Sequence, residues 1–223
     1  MKTVLVTGAC GIVGASVCTI LSEAGYAVVG VDLGTELPFE AGSVTLRGGA
    51  DLTDPKAVAD LAGALKGEGV ELAGLVNIAG GFVWEEAISG SPDTWSRMFQ
   101  MNVMTTLNAC QSFIPLLAKP AAVVNIGAAA ADSAGMGMGA YTASKAGVLR
   151  LTEALNAELS GDGVRVNAIS PTIVDTPTNR KDMPNADFGD WVRPDQIADL
   201  AAFLLSDAAS AINGENVRIR GGV

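Results

Sequence analysis

Any chemistry in this chain has to proceed without histidine, because the sequence contains none. That removes Ser-His and Cys-His nucleophile pairs, His-ligated metal sites and the usual side chain for proton transfer at neutral pH. Acid and base roles then fall to Asp, Glu, Lys, Tyr or Cys. The pairing that meets this need is Tyr141-Thr142-Ala143-Ser144-Lys145 at the start of a predicted helix. Residues four apart share one helical face, and an ammonium beside a phenol favours the phenolate. The spacing therefore predicts a tyrosine pKa lowered toward working pH and a proton-transfer pair. A core tyrosine with an exposed lysine is the plainer reading of the same spacing.

A second group of residues suits a dinucleotide. Gly8, Gly11 and Gly14 form a GxxGxxG turn, with Ile12 beside them, between an apolar run and an Ala/Ile-rich helix. Missing side chains let backbone N–H groups approach a pyrophosphate at the positive end of a helix; a simple packing turn is the alternative. Asp32 follows the second apolar run, Val28-Val29-Gly30-Val31. A carboxylate there accepts hydrogen bonds from adenosine ribose hydroxyls and repels a 2′-phosphate, so NAD(H) is expected over NADP(H). Asp51-Leu52 and Asn77-Ile78-Ala79-Gly80 end two further strands, where ligands of open α/β sheets bind. Turn chemistry alone also accounts for either.

The elements that must position these groups alternate. Val- and Ile-rich runs at Thr3 to Thr7, Ala27 to Val31, Val44 to Arg47, Leu72 to Asn77, Ala122 to Ile126, Arg165 to Ile169 and Asn216 to Ile219 read as strands. Helices fit Gly11 to Ala24, Asp54 to Leu65, Pro92 to Leu117, Ala140 to Ser160 and Pro194 to Leu205, and Asp54 is a natural N-cap before Pro55. Strand and helix repeat without a Pro/Ser-rich linker, so the expected fold is α/β, a single doubly wound domain over residues 1–223. The stretch Met98 to Ala118 carries no charge. A surface helix should show a charged face, so one face is expected on the sheet and the other against a second subunit, giving a homodimer or homotetramer through the helices near 92–117 and 140–160.

Composition narrows the partners. The 223 residues are 49% hydrophobic and 17% charged, with a net charge of −10. That is ample material for a core, and a field that repels nucleic acid and anionic membrane surfaces. The uncharged stretches Thr3 to Ser22 and Met98 to Ala118 are broken by glycines or by Asn and Gln, so neither is a good membrane span. Cys10, Cys18 and Cys110 form no CxxC pair and give neither a disulfide framework nor a metal site, as expected of reduced thiols in the cytoplasm.

The glycine turn, Asp32, Asp51, Asn77 to Gly80, Asn102, the Tyr141/Lys145 pair and Ser170-Pro171 together resemble the short-chain dehydrogenases/reductases along essentially the whole chain. The resemblance implies a Rossmann-type seven-stranded parallel sheet with helices on both faces, a nicotinamide cofactor and a small-molecule substrate. It also implies catalytic roles for Tyr141, Lys145 and Asn102. Lys145 would hold the nicotinamide ribose, Asn102 would position a water linking Lys145 to solvent, and Pro171, Ile173 and Thr176 would join the cofactor contacts.

Two departures separate the chain from most of that family. Gly11 comes one place early, and the position of the family's catalytic serine, thirteen residues before Tyr141, is Ala128. Removing one donor to a developing oxyanion typically costs on the order of a hundredfold in rate, so a poor ketone reductase is expected. Both departures resemble the dihydropteridine reductase subgroup, as does a substrate-flap segment at about 172–191; Asn102 follows the wider family instead. The implied reaction is hydride transfer from NADH to a quinonoid dihydropterin or a similar planar imine or quinone. Charge then spreads over a conjugated ring, and Tyr141 alone supplies the proton. An ordinary carbonyl reductase or alcohol dehydrogenase and a non-catalytic NAD-binding protein are the alternatives. Ala128, Trp84 and Trp191 are the substrate-side candidates. Flat rings at the sheet's C-terminal edge suit a planar substrate, and core packing accounts for either tryptophan equally.

Overall fold

The computed structural model describes residues 1–40 and 42–222. Seven strands form one sheet: β1 (Thr3–Thr7), β2 (Ala27–Val31), β3 (Val44–Arg47), β4 (Leu72–Asn77), β5 (Leu117–Ile126), β6 (Val164–Pro171) and β7 (Asn216–Ile219). They are ordered β3-β2-β1-β4-β5-β6-β7, and every pairing is parallel. Side chains alternate between the two faces of a strand, which gives the molecule two cores. Leu5, Val29, Val31, Val123 and Val166 face one way, onto Leu65, Phe113 and Leu155. Val4, Val6, Val28, Val124 and Ile169 face the other, onto Val17, Leu21, Ile197 and Leu204.

The helices supplying those partners are α1 (Ile12–Glu23), α2 (Pro55–Gly67), α3 (Pro92–Phe99), α4 (Thr105–Phe113), α5 (Gly139–Leu159), a short α6 (Pro177–Asp182) and α7 (Pro194–Leu205). Their starts follow local chemistry. Asp54 accepts from Lys56 N ahead of α2, Ser91 from Asp93 N ahead of α3, and Thr176 from Asn179 N ahead of α6, each with proline in the first turn. Because β1 continues to β2 on one side and β4 lies on its other side, the strand order reverses between β1 and β4. That is where an open α/β sheet forms its ligand crevice.

One expected element differs. The helix expected over 92–117 stops at Phe113 and contains a π-helical turn over Gln100–Met104, and β5 already begins at Leu117. The Thr105 hydroxyl donates to Met101 O at 2.7 Å and the Thr106 hydroxyl to Asn102 O at 2.8 Å. Threonine hydroxyls that bond back to the preceding turn distort the backbone ladder there, and wide π turns cluster at functional sites.

Candidate active site

The glycine turn is shaped by what its residues lack. Gly8 has φ +70°, and a Cβ there would lie 2.8 Å from Ala79 N, so the loop after β1 touches the loop after β4. A Cβ on Gly14 would fall inside the carbonyl of Gly8, so the first turn of α1 rests on the same loop. Gly11 is the N-cap of α1 and offers no side-chain cap, and no acidic residue occupies the first turn. Free N–H groups and the positive end of the helix dipole therefore face outward.

They face a cleft of about 560 Å³ whose lining includes Gly8, Gly11, Ile12, Gly14, Asp32, Asp51, Leu52, Ala79, Gly80 and Thr176. Ten of the expected cofactor residues thus come together. Asp32 is aimed by two backbone donors, Cys10 N to Oδ2 at 2.9 Å and Gly34 N to Oδ1 at 2.8 Å. A carboxylate has lone pairs left for two ribose hydroxyls, and no lysine or arginine lines the cleft among the described residues. Asp51 turns toward Thr53, whose side chain and N–H hold its carboxyl below the usual range. Burial, and then Asp32, push the Cys10 thiol up, so it stands in the cleft as a neutral thiol. These residues fit a nicotinamide dinucleotide: bare amides for the pyrophosphate, an oriented carboxylate for the ribose and apolar sides for the adenine.

Asn77 does not reach the cleft. It is buried in the sheet, donating to Asn125 Oδ1 at 2.8 Å and to Cys110 Sγ at 3.3 Å. It stitches β4 to β5, and Asn125 passes the link to Thr152 of α5 at 2.9 Å. The neighbouring β1 residue Thr7 accepts from Ile78 N and Ala79 N, at 3.0 and 3.2 Å, which holds the loop after β4 in place. Pro171 ends β6, buried, and Ile173 is exposed just beyond it; neither lines the cleft.

Tyr141 and Lys145 sit in the first two turns of α5. Lys145 is buried, and its Nζ donates to Ile126 O at 2.8 Å at the end of β5. Burial lowers its pKa from 10.5 to about 8. The expected depression of the tyrosine is not found: burial raises Tyr141 to about 12. Desolvation of the buried phenolate carries the shift. Tyr141 is therefore a protonated phenol near neutral pH.

Asn102 lies in the π turn, buried, and its side chain is committed. Its Oδ1 accepts from Gly81 N at 2.9 Å, and its Nδ2 donates to Gly81 O at 3.0 Å and to Ser144 Oγ at 2.9 Å. Ser144 in turn donates to Tyr141 O at 2.6 Å. Asn102 thus clamps the loop after β4 to the first turn of α5. Gly80 has to be glycine here, since a Cβ would run into Asn102 Oδ1.

On the substrate side, Ala128 is buried with an extended backbone and leads into a short turn (Ala129–Asp132) packed against α5. Ser133, the nearest hydroxyl in sequence, is exposed. Trp84 is about half exposed and lies against Gly137, where a Cβ would enter its indole ring. Trp191, by contrast, is buried beside Phe188, with ring centroids 4.8 Å apart. Only 5% exposed, it packs in the fold and does not face a substrate. Arg180 pairs with Asp175 at 2.6 and 2.7 Å and lies 4.7 Å over Phe188, bracing the segment at 172–191. Sequence reasoning missed Phe82, whose ring meets Tyr141 edge-on at 5.0 Å and 82°. The pattern Gly81-Phe82-Val83-Trp84 was its available signal. Met101, Thr105 and Thr178, which also line the cleft, had none.

A family model described as enoyl-(acyl carrier protein) reductase matches residues 8–223. D-threitol dehydrogenase of Mycolicibacterium smegmatis is 36% identical over 240 residues, covering 99% of this chain and 92% of that protein. A Xanthobacter autotrophicus protein named inactive 2-(S)-hydroxypropyl-CoM dehydrogenase 2 is 34% identical over 201 residues, covering 82% of this chain and 87% of that protein. Among solved structures, a short-chain type dehydrogenase/reductase from Mycobacterium ulcerans superposes with a TM-score of 0.89 at 26% identity, covering 99% of this chain and 89% of that one. With the parallel sheet, the dinucleotide cleft and the Tyr141/Lys145 pair in place, the chain belongs to the short-chain dehydrogenase/reductase family.

Proposed function

We propose that this oxidoreductase uses NADH to reduce a quinonoid dihydropterin or a similar planar imine or quinone, with Tyr141 as the proton donor. The observation that carries the reading is Ala128. The strand end that would present a hydroxyl to a substrate carbonyl presents a buried methyl group instead. A localised alkoxide would find too little stabilisation there. A conjugated electron-poor ring spreads the incoming charge and needs less.

A bound nicotinamide supplies the hydride. The protein's part is to hold the cofactor through the α1 N-terminus and Asp32, and to give up one proton. Tyr141, raised to about 12, keeps its proton across the physiological range, which suits giving it to a reduced acceptor. The phenolate left behind is stabilised by Lys145, which is mostly charged near neutral pH with a pKa of about 8. Asp32, with no cation in the cleft to meet a 2′-phosphate, supports NADH over NADPH. Pro171 and Ile173 remain proposed cofactor contacts, through closure of the segment at 172–191. A cytoplasmic location goes with the reading, resting on three free cysteines. So does a homodimer or homotetramer through α3, α4 and α5, supported by half-exposed Trp95 and Phe99 beside Gly139 and Gly147 of α5.

The test is NADH oxidation with quinonoid dihydropterin generated in the assay, run beside Tyr141→Phe. Turnover lost in the variant while NADH still binds supports the reading; no oxidation by the parent protein defeats it. A second reading, an ordinary alcohol dehydrogenase, is favoured by the similarity to D-threitol dehydrogenase. Ala128→Ser separates the two: a gain of a hundredfold order on alcohols or ketones supports the second reading. The similarity to a protein named inactive brings in a non-catalytic role, and the intact Tyr141, Lys145 and Asn102 arrangement opposes it.

A further inference from the structure

The loop after β4 carries two large rings in the open. Phe82 is 52% exposed and Trp84 is 53% exposed. An unbroken apolar run from Ile78 to Trp84 presents them, and the first acid, Glu85, comes only afterwards. A contiguous exposed apolar stretch marks a ligand or partner surface, and the backbone that carries this one is pinned at both ends. The loop is pinned at Gly81 by both hydrogen bonds of Asn102 and at Glu85, whose N–H donates to Gly137 O at 2.8 Å. Phe82 and Trp84 lie between the two pins.

Their placement is specific. Phe82 meets the Tyr141 ring edge-on, at 5.0 Å and 82°. Trp84 rests on the bare Cα of Gly137, a residue with φ +75° whose place no larger residue fills without displacing the indole. One ring is thus fixed against the proton donor and the other against Gly137, four residues before it, and Ala128 adds no polar group near α5.

We propose that Phe82 and Trp84 form a stacking wall that selects a flat, conjugated cyclic acceptor and discriminates against open-chain polyols, with Gly137 as the residue that positions Trp84. This rests on Tyr141 being the proton donor proposed above. A flat ring presents its face to the wall and its heteroatom to Tyr141. A flexible polyol buries hydroxyls against apolar rings without partners, which is unfavourable.

The experiment uses 6,7-dimethylpterin as a planar probe, titrated calorimetrically into protein saturated with NAD⁺. Turnover of menadione and of D-erythrulose with NADH is measured beside it. Phe82→Ala is expected to weaken probe binding by about tenfold, the equivalent of one aromatic contact. It should raise KM for menadione more than it changes kcat, leaving the NADH dissociation constant within about twofold of the parent. Phe82→Tyr restores binding, and Gly137→Ala reproduces the KM effect by moving Trp84. Probe binding unchanged in Phe82→Ala, or absent in the parent protein, overturns the wall. Two outcomes separate it from the proposed reaction. Phe82-dependent probe binding without turnover of any planar acceptor keeps the wall and removes the reaction. Menadione reduced with unchanged KM in Phe82→Ala keeps the reaction and removes the wall.

Discussion

A buried lysine that serves chemistry should be a burden on the fold, and Lys145→Met measures it. Lys145 has its pKa lowered from 10.5 to about 8 by burial. That displacement corresponds to about 3 kcal/mol held against the charged form. The folded state gives up the proton at lower pH than the unfolded chain. The penalty is therefore whole below about pH 8, shrinks as pH rises, and is gone by about 10.5. Methionine removes the penalty, fills a similar volume, and leaves Ile126 O without its donor, a loss of about 1–2 kcal/mol. The variant should be more stable than the parent by about 2 kcal/mol near pH 7, and less stable by about 1 kcal/mol near pH 10.

The difference between the two proteins is the quantity to read, because other groups bend the parent's profile. Burial raises Cys18 and Cys110 from 9.0, and Tyr141 from 10.0, to about 12. Their contributions are whole below those starting values and are lost as pH climbs through about 12, opposite in sign to Lys145. The two cysteines are common to both proteins and cancel, and near pH 7 all three groups are protonated folded or unfolded, so that gap reads Lys145 alone. Guanidinium denaturation of parent and variant near pH 7 and pH 10 gives the two gaps, and turnover should fall sharply in the same variant. A variant less stable than the parent near pH 7, or a gap that does not move with pH, refutes the account of Lys145 as a desolvated ammonium.

Asp32→Ala should raise the NADH dissociation constant by at least about tenfold, the equivalent of a lost pair of charge-assisted hydrogen bonds. It should also narrow the gap to NADPH, as equilibrium titrations of both cofactors would show; unchanged selectivity assigns NADH preference elsewhere. Trp191→Ala should destabilise the fold by about 3–5 kcal/mol, since it removes a buried ring packed against Phe188. A loss below about 1 kcal/mol in chemical denaturation would mean the ring is not packed as described. Light scattering at micromolar concentration should give at least twice 22.6 kDa, and Phe99→Asp should shift that mass toward the monomer.

What the sequence revealed and what it hid divide along a physical line. Strand positions were legible because both faces of a parallel sheet are covered, so runs such as Val4-Leu5-Val6 and Val28-Val29 are apolar throughout and bounded by turn residues. The dinucleotide cleft was legible for a related reason. Gly8 and Gly14 are forced by backbone approaching backbone, and Asp32 has to follow β2 to reach the crevice. The π turn at Gln100–Met104 was not legible, because no proline or glycine marks it and threonine hydroxyls do the work from a sequence that reads as plain helix. Asn77 and Trp191 have the residue types of a binding site, and tertiary packing decided otherwise. One is consumed by Asn125 and the other by Phe188, partners far away in sequence or hidden in a loop. The tyrosine pKa shows the limit most sharply. Spacing placed Lys145 near Tyr141, but the sign of the shift depends on desolvation, which spacing does not report. A phenol held neutral by its own burial is a property of the assembled site. The Tyr141 phenolate should therefore form only near pH 12, well above the free-phenol value of 10.0. A spectroscopic titration near 295 nm, read as the difference between parent and Tyr141→Phe, tests this, and a Tyr141 component titrating at or below pH 10 would refute it.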